Sequence, residues 1–225
     1  MLDWLTLIGG TILTLLPITN PFSTAPVFAS MTSRYGKDAR NRQARLAAIY
    51  MTVVLLVTLF IGSLVMTFFG IGMPALRIAG GLLIARVGFS MVNPEPPALV
   101  SEEDQNEALH KEDIAFTPIA MPLLSGPGSM AATLSMASVA EVPLDYSGVA
   151  IGIGIVALVT WLVLRSSTRV TGYLGITGMN ALTRIMGFLL ICISIEFITT
   201  GFFEGLTDQE IMGAIVDAVR QASER

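Results

Sequence analysis

Thr19, Asn20, Ser23 and Thr24 stand among prolines in one apolar stretch, and Ser125, Gly126, Gly128 and Ser129 stand among prolines in another. The two stretches share a spacing. Pro17, Pro21 and Pro26 recur as Pro118, Pro122 and Pro127, within PITNPFSTAP and PIAMPLLSGP. Hydroxyl, amide and glycine groups carry no charge, so this chemistry is recognition rather than bond making. A proline in a helix removes a backbone donor and clashes with an earlier carbonyl. Three within ten residues predict that neither stretch is an unbroken helix, with interruptions between about Thr19 and Pro26 and between about Ala120 and Pro127. Helix resumes after each cluster, so each break is expected to end in a half-helix N-terminus. Such an end offers unpaired N–H groups and about half a unit of positive charge, which suits a carboxylate without any arginine. Unwound carbonyls suit an ammonium group. The pair of breaks fits a small zwitterionic substrate, with Asn20 as a side-chain contact. Two broken helices at matching places in two halves of a chain point to a transporter site.

Other chemistry is sparse. Arg86 and Glu196 fall inside apolar runs, and intramembrane ionisable residues are functional candidates by default. Glu196 is a candidate ion-coupling site through desolvation of its carboxylate. Arg86 is read as snorkelling toward the interface. His110 is the single histidine and lies in an acidic segment, so no histidine-based metal cluster or Ser–His triad is available. Metal-protease, nucleophile-elbow and phosphate-loop motifs are missing from the sequence. The chain is therefore expected not to be an enzyme and to need no metal or cofactor. Cys192 is the single cysteine, which excludes an internal disulfide and reads as a small packing residue.

The elements that must hold these groups are membrane spans. The 225 residues are 53% hydrophobic and 13% charged, against about 25% charged in soluble domains. Residues 4–33, 46–76 and 114–140 contain no Asp, Glu, Lys or Arg. Uncharged apolar runs above about 18 residues read as transmembrane helices. Six spans follow, at roughly 4–30, 46–69, 74–92, 114–138, 147–165 and 183–203. The start, Met1-Leu-Asp-Trp, lacks a basic region, so the first apolar run is expected to be a retained span.

The halves match beyond the prolines. Arg77-Ile-Ala-Gly-Gly-Leu-Leu-Ile84 resembles Arg184-Ile-Met-Gly-Phe-Leu-Leu-Ile191, and Leu56-Val-Thr58 matches Leu158-Val-Thr160. Three spans per half is an odd number, so the second copy enters the membrane from the opposite side. The fold class predicted is an all-α polytopic membrane protein of two inverted three-helix repeats, with broken first and fourth helices. The repeats are residues 1–92 and 114–203, joined by an acidic linker at 93–113. Arg34, Lys37, Arg40, Arg42 and Arg45 in a loop at 31–45, and Arg165, Arg169 and Arg184 around a loop at 166–182, place both loops in the cytoplasm. Both termini are then outside and the linker inside. The tail, 204–225, reads as a short amphipathic helix. Thr207-Asp-Gln-Glu210 has the form of a capping box, followed by a stripe of Ile211, Met212, Ile215, Val216 and Val219. The lipid bilayer is the expected environment and no nucleic-acid partner is expected. Homo-oligomerisation is left open.

On NPFSTAPVFASMT at 20–32, RIAGGLLI at 77–84, MPLLSGPGS at 121–129 and TRIMGFLLI at 183–191, the sequence resembles the MarC family (UPF0056) of membrane proteins. That family includes small neutral amino acid transporters of the SnatA type. The first motif of the family usually reads N-P-x-G-x-A-P, and this chain departs from it at Ser23. The resemblance implies a six-span inner-membrane protein with inverted repeats that transports glycine, alanine or similar solutes. The function expected is secondary transport of small neutral amino acids, held between the broken helices and driven by a proton or sodium gradient or by the substrate gradient. The alternatives are an exporter of another small polar metabolite or drug, and a non-transporting membrane scaffold or regulator.

Overall fold

Residues 4–93, 114–140 and 143–207 are described in a computed structural model. The predicted acidic linker, apart from Asn93, and the predicted tail helix beyond Thr207 lie outside the described residues. The described elements are helices: α1 (Trp4–Thr19), α2 (Pro21–Met31), α3 (Lys37–Phe69), α4 (Met73–Val92), α5 (Ala115–Leu124), α6 (Pro127–Val139), α7 (Pro143–Arg165) and α8 (Ser167–Leu206). Four stretches are individually long and apolar enough to cross a membrane: Lys37–Gly62, Met73–Val92, Leu144–Arg165 and Thr177–Leu206. The pair α1 and α2, bent by 43°, is long and apolar enough when taken together, as a broken span or a re-entrant loop. The stretch 114–139 is divided into two helices too short to cross individually.

One sequence expectation is narrowed and two need correction. The first break falls within the predicted interval from Thr19 to Pro26 but is a single residue, Asn20. Pro17 and Pro26 lie within α1 and α2, and Pro21 opens α2, where a missing N–H costs nothing. The loop predicted at 31–45 is far shorter, because α3 already begins at Lys37. Its 33 residues span about 50 Å, well beyond a hydrocarbon core of about 30 Å. The basic residues Lys37, Arg40, Arg42 and Arg45 therefore ride on a helical extension. The region 166–182 is helical as well, apart from Gly175 at φ 61° and ψ −179°. Only glycine adopts that backbone readily, so Gly175 separates a short leading helix from the apolar part of α8.

The second break is longer, and the residues before its prolines show why. Thr117 (φ −122°, ψ 122°) and Met121 (φ −127°, ψ 122°) are extended, as a residue preceding proline prefers. Between these points the turns are wide, with N–H groups of Ile119 and Ser125 donating five residues back to Ile114 and Ala120. The Thr117–Pro118 and Met121–Pro122 peptide bonds are cis.

Helix α3 packs on α7 through Met51, Leu55, Leu59, Val149, Ile153 and Val156, all fully buried. Phe60 stacks on Tyr146 near one end of this antiparallel pair. Large apolar side chains such as Leu13, Leu64, Phe68, Ile185 and Phe203 are exposed, which suits surfaces turned to lipid rather than water.

The tightest pairing is α4 against α8. A Cβ built on Gly81 would stand 2.9 Å from the Ser194 carbonyl oxygen, one on Gly88 2.9 Å from that of Gly187, and one on Gly201 2.8 Å from that of Pro74. Residue numbers rise along α4 as their partners fall along α8, so the helices run antiparallel with backbones nearly touching. In lipid, where apolar burial gives helices little reason to associate, small residues permit the close packing that does. The remaining contacts alternate between halves: α1 lies on α7 and α5 on α3, while α2 lies on α8 and α6 on α4.

Candidate functional site

A groove of about 620 Å³ opens beside the second break. Gly126, Pro127, Gly128 and Ser129 form one wall with Pro122 and Leu123. Leu83, Ile84, Arg86, Val87 and Ser90 of α4 form another, with Ile18 from the end of α1 and Leu190 from α8. The lining thus draws on the ends of both broken stretches and on both helices carrying the matched Arg-Ile motifs.

Helix α6 starts with Gly126 as N-cap and Pro127 as its first residue. Its positive end therefore belongs to the groove wall. Gly128 is closely surrounded. A Cβ there would lie 3.2 Å from Ile84 Cγ1 and 3.8 Å from Ile18 Cγ2, so the residue sits where three helices meet. Ser129 is buried, and its hydroxyl donates to the Gly126 carbonyl at 2.8 Å. Ser125 is fully buried behind the wall. Its N–H and its hydroxyl both donate to the Ala120 carbonyl at 2.8 Å, closing the wide turn.

The first break is built differently. Asn20 has a left-handed backbone (φ 38°, ψ 64°), which asparagine tolerates better than most residues. Its Oδ1 accepts from the Ser23 N–H at 3.3 Å, capping α2. Its carbonyl accepts from the Ser23 and Thr24 hydroxyls at 3.3 Å each. Its Nδ2 donates to Met91 Sδ at 3.3 Å, tying the break to the end of α4. The Thr19 hydroxyl donates to the Leu16 carbonyl. Of the eight residues singled out by sequence, Gly126, Gly128 and Ser129 line the groove. Ser125 braces it, while Thr19, Asn20, Ser23 and Thr24 shape the first break without lining it. Ser23 sits in the first turn of α2, where its N–H and hydroxyl both bond to Asn20.

The candidate ion-coupling residue Glu196 is exposed on α8, accepts from the Thr200 hydroxyl at 3.5 Å, and does not line the groove. Arg86, read from sequence as a snorkelling residue, does line it. The signal was present as an arginine within an apolar span, but its direction around the helix was not. Sequence reading also missed the ion pair of Arg77 with Glu204, which joins α4 to α8. Arg77 Nε donates to Ser135 Oγ at 3.2 Å, adding α6 to this clamp. Cys192 is exposed rather than packed inside.

Comparison with known proteins agrees with the motifs. The family model described as MarC family integral membrane protein matches residues 5–206. The chain is 37% identical over 215 residues to the UPF0056 inner membrane protein MarC of Citrobacter koseri, covering 91% of this chain and 97% of that protein. The proteins of the same name from Escherichia coli (strain K12) and Shigella flexneri match at the same identity and coverage. No solved structure matches it.

Proposed function

The chain belongs to the MarC family of integral membrane proteins, and on that basis we propose that it is a multi-pass inner-membrane secondary transporter of small neutral amino acids, of the glycine and alanine class. The observation that carries this reading is the groove, which lies where the end of α1, the start of α6 and the C-terminal half of α4 converge. Transporter sites near the bilayer midplane are typically formed by such discontinuous helices.

The proposed architecture is six spans in two inverted repeats, α1 to α4 and α5 to α8, with α1 plus α2 and α5 plus α6 as the broken spans. Three features support it. The breaks fall at matching prolines. The contacts of the halves are reciprocal, α1 on α7 answering α5 on α3, and α2 on α8 answering α6 on α4. The helices bearing the matched Arg-Ile motifs pack antiparallel, as a two-fold axis in the membrane plane requires. The basic starts of α3 and α8 then face the cytoplasm and both termini lie outside.

Substrate binds in the groove with its small side chain against Ile18, Ile84 and Gly128. The start of α6 contributes partial positive charge toward the carboxylate. Carbonyls freed by the second break face the ammonium. Rocking of one repeat against the other exposes the groove alternately to either side. The sequence carries no phosphate-loop motif, so the work comes from a proton or sodium gradient or from the substrate gradient itself.

Uptake of labelled alanine and glycine into proteoliposomes, with and without imposed proton and sodium gradients, tests the reading. Saturable uptake that exceeds empty liposomes is expected. Counterflow of another small metabolite or a drug, with none of alanine, assigns the protein to export of that solute. Inertness toward every solute leaves the breaks with a structural role only.

A further inference from the structure

We infer that Arg86 is the carboxylate-recognising residue of the groove, and that solutes are selected there by their carboxylate rather than by their ammonium group. This rests on the groove being the substrate site of the proposed transporter. The charge inventory of the lining makes the argument. Arg86 is the one ionisable side chain among the described lining residues, and no Asp or Glu is among them. Arg86 is exposed and has no hydrogen-bond or ion-pair partner among the described residues. Of the carboxylates on α8, Glu204 pairs with Arg77 and Glu196 accepts from Thr200, and neither lines the groove.

A guanidinium within an apolar span needs a counter-charge or polar surroundings. Its planar fork matches a carboxylate in two parallel hydrogen bonds. The remaining electrostatics point the same way. The start of α6 at Gly126 and Pro127 adds partial positive charge to the same groove. An ammonium group, in contrast, meets only neutral oxygens. The Ser90 and Ser129 hydroxyls already donate to the Val87 and Gly126 carbonyls, each at 2.8 Å, so they offer lone pairs but no charge. The field thus favours a net anion or the anionic end of a zwitterion. Sequence reading had assigned that role to helix ends alone, because no Lys or Arg lies within either proline motif. The fold brings Arg86 to the second motif from another helix.

Ligand-induced thermal stabilisation of the purified full chain in detergent tests this without relying on transport. Alanine, propionate and alaninamide are the probes. Propionate keeps the carboxylate and lacks the amine, whereas alaninamide keeps the amine and lacks the carboxylate. The parent protein should be stabilised by alanine and by propionate, and not by alaninamide. Arg86→Gln should weaken both carboxylate ligands roughly ten- to hundredfold, the range for losing hydrogen bonds to a charged partner. Arg86→Lys should recover part of the loss, because it restores charge but not the fork. Unliganded melting of each variant reports folding separately, and the three-ligand comparison on the parent protein stands if Arg86→Gln does not fold. Equal binding of alanine and alaninamide, no binding of either carboxylate, or parent-like binding by Arg86→Gln overturns the inference. Arg86-dependent carboxylate binding without uptake of any amino acid supports the inference and overturns the transporter reading instead.

Discussion

Gly126 and Gly128 are two residues apart, yet the structure assigns them opposite tolerances. A Cβ on Gly126 would stand 2.7 Å from the Pro122 carbonyl oxygen. That is roughly 0.6 Å inside the distance of about 3.3 Å at which carbon and a carbonyl oxygen ordinarily meet. The obstacle is backbone, so no rotamer change relieves it. The turn that holds it is fixed twice over, by the Ser125 N–H and hydroxyl on the Ala120 carbonyl. Gly126→Ala should therefore cost about 1–3 kcal/mol, the usual range for overpacking. At Gly128 the nearest atom is Ile84 Cγ1 at 3.2 Å, a side-chain atom that can yield by a few tenths of an ångström. Gly128→Ala should therefore stay within about 1 kcal/mol of the parent. Gly128→Val should fold but block the groove, because its branches press on Ile84 and Ile18. The assay is reversible unfolding in detergent for each variant, paired with alanine uptake at equal reconstituted protein. Gly126→Ala should lose stability, while Gly128→Val should lose transport about tenfold or more. A Gly126→Ala protein as stable as the parent refutes the geometry of the second break. Parent-like transport by Gly128→Val refutes the groove as the substrate site.

Thr58 and Thr160 occupy matching positions in the halves but differ in their bonding. Thr58 donates to the Val54 carbonyl at 2.8 Å, whereas the Thr160 hydroxyl is fully buried without a hydrogen-bond partner among the described residues. Thr58→Val should cost about 0.5–1.5 kcal/mol and Thr160→Val should be neutral or stabilising, read by unfolding in the same detergent. Gly88→Ala sets a Cβ 2.9 Å from the Gly187 carbonyl oxygen. It should force α4 from α8 at a cost of about 1–3 kcal/mol, seen as a lowered unfolding midpoint, and an unchanged midpoint would deny the close contact. Asp38 is exposed in the first turn of α3. In a Cys192→Ser background, Asp38→Cys should react with an impermeant thiol reagent from the cytoplasmic side only, and labelling from outside alone would reverse the proposed topology.

The sequence made the breaks legible because proline acts locally. It fixes its own backbone and restricts the residue before it, and Thr117 and Met121 obey that restriction. How far each break extends was not legible. That depends on where a proline falls within its helix, and Pro21 as the first residue of α2 reduces the first break to Asn20. The lengths of α3 and α8 were underestimated for a different reason. Charge marks where a helix leaves the hydrocarbon, not where it ends, so Arg40 and Arg169 looked like loop residues while remaining helical. Local composition named Gly126, Gly128 and Ser129 as site residues. It had no means of adding Arg86 or Ile18, because those arrive through packing between helices distant in sequence. For the same reason it set Asn20 in the site, where the structure uses its side chain to cap α2.

The central claim is that substrate occupies the groove beside the second break, and Ser90 reports on it directly. Ser90 lines the groove and is exposed, and its hydroxyl bonds only to the Val87 carbonyl of its own helix among the described residues. Ser90→Cys in a Cys192→Ser background therefore places a single small thiol at the site. The measurement is its rate of reaction with a maleimide in proteoliposomes, with and without saturating alanine. The account predicts that alanine slows labelling at Ser90→Cys several-fold and leaves the native Cys192, outside the groove, unaffected in the parent protein. Alanine uptake by the Ser90→Cys protein with no change in its labelling rate would place the substrate elsewhere and contradict the account.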